Sequence, residues 1–215
     1  MNAARRAGRK MVRAGLIGAA AFGVGCLPTG RLVARLAAGV PVESLGNGAP
    51  GASNMFRSVG WRAGAVVIVI DTLKGLLPVA WARHRNWGPH AVGAMGLLPV
   101  AGHITVLGGK GAATAMGVTI AADPAAFGLV TPVLVTGILR KANAPAALAA
   151  YLTYPLWRQR LGRSRAEVAW SSIILGMLIV TRVWRGGREG MFHARTLWER
   201  LLHDREPRAF TDRAE

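Results

Sequence analysis

The chain has 215 residues, enough for one domain of ordinary size, and 52% of them are apolar. It is also strongly basic, with 27 Lys and Arg against 10 acidic residues and a formal net charge of +17, which in a soluble protein would point to nucleic acid. The charge is segregated, however: segments 63–82 and 166–183 carry almost none and the arginines collect between such stretches, a pattern of bilayer spans with basic loops that sets nucleic acid aside as a partner.

From the N-terminus, Arg5, Arg6, Arg9, Lys10 and Arg13 precede an apolar run over 14–27. The run has the form of a secretory signal, but Pro28, Arg31 and Arg35 continue on a pattern that reads as structure, so a retained first span is expected. Apolar segments fall at roughly 14–37, 63–82, 91–106, 112–122, 124–139, 144–157 and 167–184. The second would be ~30 Å long as a helix, enough to cross the hydrocarbon core. Several others are short and rich in Gly and Pro, which suits them to a bundle in which small residues let helices approach closely. Asp123-Pro124 predicts a turn between two short helices. Arg140-Lys141 and the group Arg158, Arg160, Arg163 and Arg165 mark further loops.

Together these segments predict an all-α, polytopic membrane helical bundle of about seven short transmembrane helices, or six if 112–139 forms one broken hairpin. Residues 1–184 make the membrane domain and 185–215 a basic tail, in which 191–203 is expected to lie along the surface with Phe192, Leu197, Trp198 and Leu201 on its apolar side. Most tryptophans sit near segment ends, where an interfacial belt places them. Cys26 is the one cysteine, so no intramolecular disulfide can form, no Cys/His spacing suggests a zinc site, and neither metal nor cofactor is expected.

Three features carry chemistry. The first is Gly46-Asn47-Gly48-Ala49-Pro50-Gly51-Ala52-Ser53-Asn54, followed by Arg57. Its glycines permit a backbone whose N–H groups point into one concavity, a nest for an anion, to which Ser53 and Asn54 add donors and Arg57 a charge. Taken alone, the segment also reads as a flexible loop. The second is Gly102-His103, then Gly108-Gly109-Lys110-Gly111-Ala112-Ala113-Thr114, opening an apolar helix. Glycine amides, a lysine and a helix N-terminus suit a phosphate or phosphoanhydride, although the spacing is not that of a Walker A loop; the plainer reading is a helix start with a snorkelling lysine. The third is Asp71 with Lys74, one turn apart inside the 63–82 span, where charge is expensive and such residues face the interior. Asp71 reads as structural, and Lys74 as either structural or functional. His103, after a glycine at a span end, is more often a hydrogen-bonding residue than a base.

The order of these motifs resembles a known family. Gly25-Cys26-Leu27-Pro28-Thr29-Gly30 is similar to G-S-I-P-x-G, residues 46–54 to G-S-G-N-x-G-A-T-N, Asp71-Thr72-Leu73-Lys74-Gly75 to D-x-x-K-G, and Gly102-His103 with 108–114 to G-H followed by K-G-G-K-G-x-A-T. These are motifs of the bacterial acyl-phosphate:glycerol-3-phosphate acyltransferases of the PlsY type, and the likeness runs in register over about 15–184. The resemblance implies a multi-pass enzyme of the bacterial cell membrane that moves an acyl group from acyl phosphate to glycerol 3-phosphate. On that basis His103, Lys110 and Asn47 are the catalytic candidates. Gly108, Gly109, Gly111 and Thr114 would join Lys110 around acyl phosphate, and Gly46, Gly48, Gly51, Ser53, Asn54, Arg57 and Lys74 would hold glycerol 3-phosphate. The chain departs from the family pattern at Asn47, Ala49, Glu43 and Leu107, and Val183-Trp184-Arg185-Gly186 stands where H-R-x-N-I-x-R would follow the last span, with His193 and Arg195, or Arg200, as candidate substitutes. Two other readings compete: a non-catalytic or specialised relative of the family, and a small transporter drawing on Asp71 and Lys74.

Overall fold

The computed structural model describes residues 2–140 and 142–184. The tail 185–215, with the expected surface helix 191–203 and the candidates His193, Arg195 and Arg200, lies outside the described residues. Among the described residues every regular element is helical: α1 Asn2–Gly25, α2 Thr29–Ala38, a 3-10 turn Val42–Ser44, α3 Ala52–Ser58, α4 Trp61–His84, α5 Pro89–Leu107, α6 Ala112–Ala122, α7 Pro124–Leu139, α8 Asn143–Arg160 and α9 Arg165–Trp184.

Four segments, Met11–Ala38, Trp61–His84, Pro89–Leu107 and Arg165–Val183, have the length and apolarity to cross a bilayer, while α6 and α7 are shorter apolar helices. The described residues form an apolar interior that also holds charged side chains, under a surface rich in large apolar ones. Leu16, Leu32, Leu77, Ile138, Leu156 and Val180 are more than half exposed, whereas Asp71, Lys74, His103, Asp123 and Arg158 are buried. An apolar surface of that extent suits a hydrocarbon solvent, and the charges then find their partners inside the protein.

Local chemistry explains the breaks. The expected first span at 14–37 is two helices: α1 ends at Gly25, Pro28 has no N–H with which to extend its ladder, and the Leu27 carbonyl falls in the break, where Thr29 N donates to it at 2.8 Å. Asp123 ends α6 and caps α7, its carboxylate accepting from Ala126 N at 3.3 Å with Pro124 in the first turn. Ser164 and Glu167 form a reciprocal capping box before α9.

Helices pack at the contact distance of backbones. A Cβ added at Gly75 would lie 2.0 Å from the Thr114 carbonyl oxygen, and one at Gly117 would lie 1.8 Å from that of Thr72, so α4 and α6 touch main chain to main chain. Gly25 and Gly102 bring α1 and α5 together in the same way, against Pro99 and Phe22. Because α4 and α5 form a hairpin through a short turn, the start of α4 and the end of α5 share one end of the bundle. The opposite end is clamped by Asp123, which receives Arg163 Nε at 2.7 Å and Nη2 at 3.1 Å and lies 3.5 Å from Arg158 Nε.

That clamp makes a pH prediction. Desolvation pushes the Asp123 carboxyl up, but hydrogen bonds from Arg163 and Ala126 and the nearby arginine charges outweigh it, so it ionises below its ordinary 3.8. A carboxyl depressed on folding stabilises above its unfolded value and loses that contribution as pH falls through the folded one. Melting temperature in detergent should therefore drop below about pH 4. Asp123→Asn should cost on the order of 2 kcal/mol at neutral pH, less than a fully buried pair because Arg163 is 39% exposed, and should flatten the acid limb; an unchanged limb would remove Asp123 as its source.

Candidate active site

The first glycine-rich turn is held by Asn54. This side chain, 2% exposed, donates from Nδ2 to the carbonyls of Leu45 at 2.8 Å and Ala49 at 3.0 Å. Its Oδ1 accepts from Asn47 N at 3.3 Å and Ser58 Oγ at 3.2 Å. Gly46, at φ 55°, brings its Cα so close that a Cβ would meet Asn54 Oδ1 at 2.3 Å. Asn47 Oδ1 in turn accepts from Ala49 N at 3.3 Å, a local Asx turn. Gly48 lies in the left-handed region at φ 71°, and Gly51 caps α3. Ser53 is half-buried in the first turn of α3 and Arg57 is exposed in its last. Pro50 is buried against α2, where a Cβ on Gly30 would lie 1.9 Å from its carbonyl oxygen.

The second turn joins α5 to α6. Gly108 at φ 76° and Gly111 at φ 72° take left-handed conformations that reverse the chain in four residues and present Lys110 between them, half-buried, at the α6 N-terminus. Gly109 lies flush on the imidazole of His103; a Cβ there would be 2.0 Å from Nε2. On the other side of that ring, His103 Nδ1 shares a 3.4 Å hydrogen bond with Thr114 Oγ1 and stands 3.9 Å from Asp71 Oδ1. Asp71 Oδ1 pairs with Lys74 Nζ at 2.7 Å, and Lys74 Nζ donates to the Leu27 carbonyl at 2.6 Å, in the break between α1 and α2.

The structure therefore sorts the expected residues. Gly46, Asn47, Gly48, Gly51, Ser53 and Arg57 belong to one turn, Gly108, Gly109, Lys110 and Gly111 to the other. Asn54, Lys74, His103 and Thr114, expected at the substrates, have their polar groups turned into the protein, where the apolar surroundings make their internal bonds costly to break. The Asp71–Lys74 pair is sealed, each side chain 2% exposed, instead of lining a passage. The residue that sequence reasoning missed is Leu27, which acts through its carbonyl on Lys74; every residue carries such an acceptor, so no signal in the sequence singles it out.

Two departures from the family pattern have local explanations. Glu43 pairs with Arg31 at 3.0 Å, so the acidic residue ties α2 to the first turn; a backbone hydrogen bond and Arg31 hold its carboxyl below the usual range. Leu107 is buried at 4% exposure and packs inward where a basic side chain would have to reach out. A narrow apolar cavity of about 40 Å³ between α5, α6, α8 and α9 lies at the other end of the bundle. Its charged wall residues Arg158 and Glu167 already pair at 3.1 Å, and it is not assigned to the site.

The first turn leads through α3 into the start of α4 and the second follows the end of α5, so both lie toward the same end of the α4–α5 hairpin.

Comparison with known proteins places this geometry. Residues 15–188 match the glycerol-3-phosphate acyltransferase family profile. The glycerol-3-phosphate acyltransferase of Azotobacter vinelandii is 33% identical over 84% of this chain and 96% of its own length. That of Geotalea daltonii is 42% identical over 48% of this chain and 56% of its own, so this alignment spans little more than half of that relative. Among solved structures, the glycerol 3-phosphate form of the integral membrane acyltransferase PlsY is similar at a TM-score of 0.73 and 27% identity, covering 79% of this chain and 88% of that one. Its lysophosphatidic acid form is similar at 0.70 and 26% over the same shares.

Proposed function

We propose that this chain, which belongs to the glycerol-3-phosphate acyltransferase family and has its integral membrane fold, transfers an acyl group from acyl phosphate to the 1-hydroxyl of glycerol 3-phosphate at the cytoplasmic face of a bacterial plasma membrane. The observation that carries the reading is the placement of two glycine-rich turns toward one end of the bundle, since the reaction brings two phosphorylated substrates together. Lys110 and the amides of Gly108, Gly109 and Gly111 hold the acyl phosphate, with the α6 N-terminus behind them. Ser53, Arg57, Asn47 and the amides of 46–51 hold glycerol 3-phosphate.

In the reaction the acceptor hydroxyl oxygen attacks the acyl carbon, the bond from that carbon to the bridging phosphate oxygen breaks, and the hydroxyl proton leaves with inorganic phosphate. Acyl phosphate is already activated, so positioning and electrostatic stabilisation supply the catalysis and no nucleophilic side chain is required. His103 serves by supporting Gly109, not as the base.

The test is phosphate release by the purified protein in detergent. Release from acyl phosphate should require glycerol 3-phosphate and be matched by lysophosphatidic acid. Hydrolysis that ignores the acceptor would refute acyl transfer, and uptake of glycerol phosphate into vesicles without product would establish the transporter reading instead.

A further inference from the structure

The two turns are far apart in sequence and touch different helices, yet the contacts described above lead from each to one buried carboxylate. From the first turn the path runs through Pro50 to Gly30, back three residues across the start of α2 to the Leu27 carbonyl, and from it to Lys74 at 2.6 Å and Asp71 at 2.7 Å. From the second it runs through Gly109 to the face of His103, which stands 3.9 Å from the same Asp71 oxygen. Thr114, at the start of α6, bonds to His103, and its own carbonyl lies against Gly75, one residue beyond Lys74. We propose that Asp71 is a positioning residue: its carboxylate sets the spacing of the two anion-binding turns by fixing Lys74 on the broken α1–α2 junction and by orienting His103 under the second turn.

Charge is needed for this. A neutral side chain of the same shape would fill the space but would not draw the ammonium of Lys74 onto the Leu27 carbonyl against the cost of burying it. The carboxylate touches no turn directly, and α4 carries it at a point where neither turn has any chain of its own. A fault at Asp71 therefore reaches both turns, unlike a fault in either turn, which is felt by one substrate. The inference rests on the assignment of the turns to two substrates, and its test includes a measurement that does not.

Two variants are compared with the intact protein in detergent. Asp71→Asn strands the lysine charge and tests the carboxylate directly. Asp71→Asn with Lys74→Met removes both charges, so the fold is relieved of an uncompensated ion while the connection remains cut. The double variant should melt near the unaltered protein, yet show KM for acyl phosphate and KM for glycerol 3-phosphate both raised by about tenfold, as a small displacement of reacting groups produces. Amide hydrogen exchange should rise together in 46–54 and 108–111, and this readout holds whatever the substrates prove to be. If the double variant regains both KM values and both exchange patterns, the pair serves folding alone and the proposal is overturned. It is equally overturned if one turn responds without the other. Loss of glycerol-3-phosphate-dependent turnover in the unaltered protein would sink the functional reading, but the exchange result would still decide the coupling.

Discussion

Replacing Lys110 with alanine should lower kcat/KM for acyl phosphate by about 10²–10³-fold, the cost of removing one preorganised group that meets developing charge. The lysine sits between the left-handed Gly108 and Gly111 just before α6, where the proposed site would put its ammonium and the helix amides on the same anion. The truncation leaves the backbone turn untouched, because the side chain makes no demand on φ at that position. Expression, melting temperature and KM for glycerol 3-phosphate should stay near those of the unaltered protein. Lys110→Arg should recover part of the rate, since charge is kept but the planar guanidinium presents its donors in a different geometry. Turnover unchanged in the alanine variant would remove Lys110 from the site and reassign the second turn to a purely structural role.

The second large effect is expected at a residue with no polar atom to lose. A Cβ at Gly117 would stand 1.8 Å from the Thr72 carbonyl oxygen and 2.7 Å from the Leu76 amide nitrogen. Both are main-chain atoms of α4 and cannot rotate away, so Gly117→Ala must push α6 off α4. Overpacking of a core ordinarily costs 1–3 kcal/mol, and this position belongs at or above the top of that range, lowering the melting temperature by roughly 10 °C. Since α6 starts at the second turn, displacement should also weaken acyl phosphate binding at temperatures where the fold survives. Gly128 is the control: nothing lies within 4 Å of a Cβ there, and Gly128→Ala should be neutral or slightly stabilising by helix propensity. Equal melting curves for the two variants would show that α4 and α6 do not meet at Gly117.

Much of this was open to reading along the chain. Hydropathy and its interruptions give α4 to α9 within a few residues, because a segment must be apolar to lie in lipid and Gly, Pro and Asp end it by local rules, whereas α1 starts at Asn2, well before the apolar run, and the short α3 carries no such signal. Asp123 and Pro124 mark the α6–α7 break, and Gly108 and Gly111 mark the turn, for reasons confined to the residues themselves. The charged pair inside α4 was equally plain, since one helical turn separates Asp71 from Lys74. Motif order was enough to name the family.

What the chain could not show is which donor meets which acceptor. Asn54, Lys74, His103 and Thr114 are the residue types that bind phosphate, and nothing in their spacing says that Asn54 turns inward to Leu45, Lys74 to Leu27 and Asp71, His103 to Gly109, and Thr114 to His103. The Leu27 carbonyl could not be anticipated at all, because every residue carries one and only packing decides which is left over. Propensity and periodicity are properties of neighbours along the chain and were determined there; the burial of Lys74 beside a carbonyl 47 residues away is a long-range contact, and only the packed bundle, with its charges shielded from water, could choose it.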